Sequence, residues 1–462
     1  MKKLDKFAYD IVCNWPKVIN FNSVYNDVDY SQILRFYLWD KVARAIRVKN
    51  NIDFEELQSY KKDHKSSFYY TPLISKGKYK RSFFSRKKII FLPFQTSHTS
   101  KLVSNLKKTG KYKVVSKQKT KYLNDADVVR EQAFTSDPAL GNILFDAVIN
   151  GLSKLGVDLI IEDRDLLKTQ ICGALKITEL AEKEVLKIKP NVLYVHSDNH
   201  PPFINYVLVA KKYNIPTFMY QHGLDCEHYY LDDCYVDHVA VWSKYRQERY
   251  VRDSLFQPKS YSVVGNIFVP EIKFDKENNN DKVILFLSRP HKSIKCYSPS
   301  RSHTEGFKIL EVLLNFLKRN TEFTLILKLH PMDFKEEYCE LINNNELKNR
   351  VTISNEKLDS LFRKSSIIIT EDSTAGAEAM YYGKPCIHAH LAKSKPVLPF
   401  VEYGSAFPGF STEQLLLSLK KASSITVKEM KMMKGNQNKF VNDFVPQGDI
   451  NNLIKCISES IK

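Results

Sequence analysis

Histidine, serine, threonine and arginine recur in this chain at the points where apolar, β-branched runs stop. Thr324-Leu-Ile-Leu-Lys-Leu ends in His330-Pro331. The proline pins the backbone and disfavours helix at His330, so the imidazole is presented in a loop. There it can donate to a phosphate or ribose oxygen, with Lys328 adding charge, or simply tie the loop to a carbonyl. Ile367-Ile-Ile-Thr ends in Glu371-Asp-Ser373-Thr374-Ala-Gly376, an N-capping pattern that opens a helix. A helix N-terminus offers free N–H groups and partial positive charge to a phosphate. The Ser373 and Thr374 hydroxyls can add hydrogen bonds, and Gly376 leaves room for a ligand to approach the backbone. Glu378, one turn inside, can accept from ribose hydroxyls. The bland alternative is a cap with no ligand. Val283-Ile-Leu-Phe-Leu-Ser ends in Arg289-Pro-His291-Lys292, cations able to neutralise a departing diphosphate or to form a solvated basic loop.

A second group of such ends lies earlier. Gln221-His222-Gly223 follows Ile215-Pro-Thr-Phe-Met-Tyr. A neutral imidazole there suits a general base near pH 7; the alternative is a structural histidine beside a turn glycine. Asp198 and Asn199 follow Asn191-Val-Leu-Tyr-Val-His and can orient that base or hold an acceptor. His98 follows Lys88-Ile-Ile-Phe-Leu-Pro-Phe and either lines a cleft or caps the next helix.

These residues need strands that end together. Apolar runs of strand length alternate with helical spacing from Lys88 onward, the signature of parallel α/β halves, whose ligands bind at the carboxyl ends of strands. Strands are expected at 88–94, 112–115, Val157-Asp-Leu-Ile-Ile-Glu, 191–196, 215–220, 238–244 and 262–266, with a long helix over about 164–188. The polar run 274–281 has linker composition, and Val283 opens a second α/β half. The expected division is a helical, basic-aromatic extension over 1–87, an acceptor domain over 88–273, a nucleotide-donor domain over 274–424 and a helical tail over 425–462.

The totals narrow the classes. A net charge of +18 favours polyanionic partners, yet no nucleic-acid motif appears, so nucleic acid is set aside. The eight cysteines show no Cys-x-x-Cys or zinc spacing, which leaves free thiols. No Asp-x-Asp metal motif stands out, so no cofactor or metal is expected. No transmembrane run or signal peptide is seen, which implies a cytoplasmic protein. The run Lys78-Tyr-Lys-Arg-Ser-Phe-Phe-Ser-Arg-Lys-Lys88 suits an anionic membrane surface on the inner face of the plasma membrane, or an ordinary linker whose rings pack on the next domain.

Taken together, Asp198-Asn199, Ala210-Lys-Lys-Tyr-Asn-Ile-Pro-Thr-Phe-Met-Tyr-Gln-His-Gly223, Val264-Gly-Asn266, Lys328-Leu-His-Pro331 and Asp372-Ser-Thr-Ala-Gly-Ala-Glu-Ala-Met-Tyr-Tyr-Gly-Lys-Pro385 resemble bacterial surface-polysaccharide glycosyltransferases of the GT-B fold. The resemblance spans about 88–400 and is nearest to capsule synthesis enzymes, CDP-glycerol glycerophosphotransferases and bacterial sialyltransferases. It implies two Rossmann-like domains facing a cleft, the donor on the C-terminal one and the acceptor on the N-terminal one. It also implies donor-phosphate contacts from His330, Ser373 and Thr374, a base at His222 and ribose binding by Glu378. The residues themselves, apart from the resemblance, add Arg289 and Lys292 on the donor phosphate, Asp198 beside the base, and Asn199 and His98 toward the acceptor. The usual partner of the ribose glutamate would stand at Thr370, whereas here Glu371 is one position on. The sialyltransferase Asp/Glu-Asp-Gly motif has no match. The activity implied is transfer of a sugar or polyol phosphate from a CMP-, CDP- or UDP-linked donor to an oligosaccharide or lipid-linked acceptor. The rivals are a non-hydrolysing nucleotide-sugar epimerase, which shares this architecture, and a non-catalytic glycan- or membrane-binding protein.

Overall fold

The computed structural model describes residues 3–50, 77–81, 86–94, 97–118, 123–129, 138–224, 234–254, 256–269, 282–289, 305–330, 333, 335–345, 347–391 and 395–461. Two helices, α1 (Lys3–Val18) and α2 (Tyr30–Lys49), flank a hairpin of β1 (Val24–Tyr25) and β2 (Val28–Asp29). Its two turn residues, Asn26 and Asp27, both take positive φ, as a two-residue hairpin turn requires. Ala8, Ile11, Val12 and Trp15 form one buried stripe on α1. The helix α2 is buried on most sides, so it also carries buried charges: Arg44 bridges Asp163 at 2.8 Å. The N-terminal helices therefore share the hydrophobic core of the first half.

That half is a six-stranded sheet of β3 (Lys88–Phe91), β4 (Tyr112–Val115), β5 (Val192–Val195), β6 (Thr217–Tyr220), β7 (His238–Val241) and β8 (Ser260–Val263). All pairings are parallel, in the order β4-β3-β5-β6-β7-β8. The helices α3 (Ser97–Lys108), α4 (Pro138–Lys154), α5 (Ile161–Ile188), α6 (Phe203–Lys212) and α7 (Lys244–Asp253) connect or cover these strands. The strand expected over Val157–Glu162 does not form. Val157 and Leu159 are buried in extended backbone, but the run joins no sheet and turns at Ile161 into the 28-residue α5. Period-two burial there reflects a connector pressed on the core, a pattern that periodicity alone does not separate from a strand.

The second half holds β9 (Val283–Leu287), β10 (Thr324–Lys328), β11 (Val351–Ile353), β12 (Ile367–Thr370), β13 (Cys386–Ala389) and β14 (Phe407–Gly409). They are parallel in the order β11-β10-β9-β12-β13-β14. Counted within this sheet the order is 3-2-1-4-5-6, the doubly wound nucleotide-binding arrangement, with its crevice between β9 and β12. Helices α8 (Glu305–Arg319), α9 (Lys335–Asn343), α10 (Leu358–Lys364), α11 (Thr374–Ala379) and α12 (Thr412–Ser423) complete it.

The tail forms α13 (Val427–Phe444) and α14 (Ile450–Ser460) and packs back on the first half: α13 meets α7, and α14 meets α3. Tyr245 packs on Phe444 at 4.3 Å between ring centres. At the joint, Gly265 (φ +76) lies so close to Gly448 that an added Cβ would stand 2.5 Å from its Cα. Asn266 donates to the Pro446 carbonyl at 2.6 Å, and Gly448 donates back to Asn266 at 3.0 Å. The Val264-Gly-Asn266 motif thus builds the seam between tail and first sheet.

In the basic-aromatic run, Tyr79 is buried, its N–H donating to Val128 at 3.0 Å and its ring lying 4.7 Å from the Lys113 ammonium. This ring packs on the next domain and is not offered to a membrane. Lys78, Lys80, Arg81, Arg86, Lys87 and Lys88 are exposed, and 82–85 lie outside the described residues. Among the described residues no helix is long and apolar enough to cross a membrane.

Candidate functional site

The crevice of the second sheet is framed by two of the expected clusters. Arg289 follows β9, and Glu371 to Thr374 follow β12, its direct neighbour. They are tied together: the Arg289 N–H donates to Glu371 Oε2 at 3.0 Å. Glu371 is buried, so its displacement from position 370 gives it the task of fixing the β9 loop. Thr370 is also buried, and its hydroxyl donates to the Glu371 carbonyl at 2.8 Å.

His330 follows β10, next to β9, and is exposed as expected. Its N–H donates to Ser288 Oγ at 3.0 Å and to Asp333 Oδ2 at 3.1 Å, while the Ser288 hydroxyl donates to the same carboxylate. Ser288 and Asp333 therefore hold the histidine turn. The signal available for Ser288 was its place one residue past a strand. Lys328, expected to add charge, instead donates to the Glu356 carbonyl at 2.8 Å. Lys292 lies outside the described residues, as do His291 and Pro331.

The Ser-Thr turn caps its helix as expected but differs from the reading at Gly376, in the length of the helix and at Thr374. Ser373 is an N-cap: its Oγ accepts from the Gly376 N–H at 2.9 Å and lies 3.0 Å from Thr370 Oγ1. Gly376 makes room for Thr370, whose Oγ1 would stand 2.3 Å from an added Cβ; the glycine serves packing, not ligand approach. The helix behind the turn has six residues before a 3-10 turn, so few aligned peptide dipoles stand behind Ser373. Thr374 faces the other half. Its Oγ1 accepts from the Leu224 N–H at 2.9 Å, and Gly223 lies so close that a Cβ would sit 3.3 Å from that oxygen. This bond brings Gln221-His222-Gly223, beyond β6, against the turn beyond β12.

Under the turn lies a cluster that the sequence reading missed. Asp372 is buried and accepts from the Val397 and Leu398 N–H groups at 3.1 and 2.9 Å. His388 Nε2 and His390 Nδ1 lie 3.2 and 3.4 Å from its oxygens. Burial alone would raise this carboxyl, but His388, His390 and the Leu398 amide outweigh it and hold it far below the usual carboxylate range. Glu378 is half-buried with no hydrogen-bond partner among the described residues, and burial pushes its carboxyl up to about 7.

On the first-sheet side His222 is exposed, its ring perpendicular to that of His196 with centres 5.8 Å apart. Asp198 does not have the orienting role expected of it. Its buried Oδ2 accepts from the Tyr235 and Val236 N–H groups at 2.6 and 3.0 Å, anchoring the approach to β7. Burial pushes its carboxyl up to about 6 despite those amides. Asn199 is half-buried and accepts from Ser197 Oγ at 3.2 Å. His98 is the second residue of α3, and its side chain lies outside the described residues. Among the described residues no group of three or more His, Cys, Asp or Glu could hold a metal ion. A cavity of about 590 Å³ between α2 and the α4–α5 connection, lined by Ile46, Lys49, Val157, Asp158 and Ile160 among others, includes none of the candidate site residues.

Comparison with known proteins bears on the fold. Residues 201–392 match the family model described as capsule polysaccharide biosynthesis protein. No curated protein matches the chain by sequence. Among solved structures, S. aureus MnaA in a co-structure with UDP aligns at 14% identity and a TM-score of 0.51, over 80% of this chain and 95% of that one. A UDP-N-acetylglucosamine 2-epimerase aligns at 14% identity and TM-score 0.50, over 81% and 95%. A glycosyltransferase from Rickettsia africae aligns at 15% identity and TM-score 0.48, over 82% and 98%. For the first two of these structures the likeness is one of fold. The chain is an α/β protein of GT-B-like fold whose residues 201–392 are similar to the capsule polysaccharide biosynthesis family.

Proposed function

We propose that the protein transfers a sugar, or a polyol phosphate, from a nucleotide-activated donor to a growing surface-polysaccharide acceptor. The observation that carries this reading is the Leu224–Thr374 hydrogen bond, which sets His222 of one half against the Ser373–Thr374 turn of the other. A candidate base and a candidate phosphate-side turn thereby meet where the strands of two parallel sheets end. In this reading His222 takes the proton of an acceptor hydroxyl. For a sugar, the acceptor oxygen bonds to the sugar carbon, the carbon–oxygen bond to the donor phosphate breaks, and the nucleotide leaves with that electron pair; for a polyol phosphate, it bonds to phosphorus, the phosphoanhydride bond breaks, and the nucleoside monophosphate leaves. Arg289 and His330, with the Thr374 hydroxyl, stabilise the departing phosphate, and Glu378 accepts from the ribose.

UDP-linked donors are the first probes, since the S. aureus MnaA structure of the same fold holds UDP. CMP- and CDP-linked donors follow. The test is thermal stabilisation by each nucleotide, then release of nucleotide from the responding donor with capsule oligosaccharide or lipid-linked acceptors. Acceptor-dependent release with His222→Ala inactive and still nucleotide-binding supports transfer. A new sugar nucleotide formed from the donor alone would make the protein an epimerase. The exposed cations Lys78, Lys80, Arg81, Arg86, Lys87 and Lys88 fit attachment at the inner face of an anionic membrane. Unchanged vesicle binding after their neutralisation would remove that part of the proposal.

A further inference from the structure

We infer that His196 is the positioning partner of His222, forming with it a coupled imidazole pair in which one ring at a time carries the proton. The inference rests on the reading of His222 as the acceptor-side base.

The fold builds the pair. β5 and β6 are parallel neighbours with Val195 opposite Met219. His196 is the first residue past β5, and His222 is the second past β6, so both rings emerge at one sheet edge. Their centres are 5.8 Å apart at 89°. His196 is fixed from behind: its ring meets the edge of Phe203, the first residue of α6, at 4.3 Å. Phe203 in turn meets His200 at 5.0 Å and Phe94 at 5.3 Å, which anchors this wall in the first core. His200 is fixed separately, its Nδ1 2.9 Å from the Pro201 carbonyl. His222 is the exposed member of the pair, while His196 is half-buried.

Two imidazolium ions about 6 Å apart repel, so protonation of His196 disfavours protonation of His222. With an effective dielectric between about 20 and 80 the mutual effect is about half a pH unit to two units. Where one ring holds the proton, the pair offers a neutral base for the acceptor hydroxyl beside a cation. Among the described residues, other charged or titratable groups around this wall are Asp198 on the same loop, which accepts from the Tyr235 and Val236 amides, and Cys234, Lys211 and Arg246, which interact with Asp198. Across the cleft, Thr374, an uncharged group, approaches through Gly223 and Leu224.

The experiment follows the Cε1–H resonances of the 12 histidines of the full chain by NMR from pH 5 to 9, in wild type, His196→Gln, His196→Phe and His222→Gln. Assignment comes from the variants themselves. The shift falls on the ring that binds its proton second: removing the other ring is expected to raise that midpoint by at least about half a unit. His196→Phe keeps a ring against Phe203 and must act as His196→Gln does. A smaller shift in both the His196 and the His222 variants, or different effects of His196→Gln and His196→Phe, overturns the inference. In wild type each resonance is expected to register its neighbour's titration as a second inflection, a reading that needs no variant to fold. UDP affinity measured on the same samples separates the two ideas. Absence of UDP binding in wild type counts against the proposed function, whereas absence of a midpoint shift in either variant counts against the pair.

Discussion

Glu378 offers the sharpest test of the donor site, because its protonation links stability and binding in opposite directions. Burial raises its carboxyl to about 7, well above the usual glutamate value. The folded protein thus binds more protons here than the unfolded chain between about pH 4.5 and 7, so stability falls with pH across that window. The penalty is absent below the window and fully present above it. The shift sets an upper bound of about 3 kcal/mol, and partial solvent access brings the expected value to ~1–2 kcal/mol. Glu378→Gln removes the penalty, so the ligand-free variant should melt higher than wild type at pH 8 and the same at pH 5. Binding should run the other way. Ribose hydroxyls donate best to an ionised carboxylate, and about one molecule in ten is ionised at pH 6 against about nine in ten at pH 8. Affinity for a UDP-sugar, whose diphosphate has no proton to lose in this range, should therefore rise about tenfold from pH 6 to 8, or ~1.3 kcal/mol. Protonated histidines facing the phosphates would lower affinity over the same range, so the diagnostic is the difference between wild type and variant. The assay is isothermal titration at pH 6, 7 and 8 with melting curves at pH 5 and 8. Equal pH slopes for wild type and Glu378→Gln, or a variant that melts lower at pH 8, would refute the assignment of Glu378 to the nucleotide ribose.

Other consequences are equally concrete. Gly376→Ala places a Cβ 2.3 Å from Thr370 Oγ1 and 2.9 Å from its Cβ, so chemical denaturation should show a loss of ~2–4 kcal/mol. Adding Thr370→Ala should restore only part of it, since the closer oxygen goes but the Cβ stays. Gly265→Ala adds a strained φ to a 2.5 Å approach to Gly448, and should release the tail from the first sheet, seen as faster proteolysis of α13 and α14. Asp372 has a depressed carboxyl, so its contribution is fully present above the ordinary Asp value near pH 4 and fades as pH falls through the folded value. Asp372→Asn should therefore lower stability at pH 7 by ~2–4 kcal/mol and by progressively less towards pH 2 in urea titrations. Lys117→Met would strand the buried Glu184, 3.2 Å away, at a cost of ~3–5 kcal/mol, and Lys117→Met with Glu184→Gln should recover much of it.

The sequence exposed those parts of the molecule that repeat at short range. Ile367-Ile-Ile-Thr and Thr324-Leu-Ile-Leu-Lys read as strands because both faces of a parallel sheet are covered, and both are strands. The polar residues just past them were legible as site candidates for the same reason, since a strand end is local. What pairs with what was not local. Asp198, read as a partner for the base, is held by amides 37 and 38 residues away, which no window around it could disclose. Gly376 read as ligand clearance and proved to be clearance for Thr370, six residues back across a turn. His388 and His390 carry no motif of their own, and only the adjacency of β12 and β13 brings them to Asp372.

This sorts the site into two layers with different tolerances. Asp372, Glu371, Ser288, Asp333 and the Ser373 cap hold backbone, and their loss should appear first as melting temperature. Arg289, His330 and His222 stand just past strand ends and Glu378 in the helix beyond β12, and in the proposed reading their loss should appear first as binding or turnover. Thr374 stands in both layers, because its hydroxyl oxygen accepts across the cleft while its proton is left to donate. Thr374→Val therefore removes a cleft contact and the proposed phosphate donor at once. Thr374→Ser keeps both hydrogen bonds and loses only a methyl. If Ser restores nucleotide affinity and Val does not, the hydroxyl itself serves the donor; if both bind like wild type, its task is confined to Leu224.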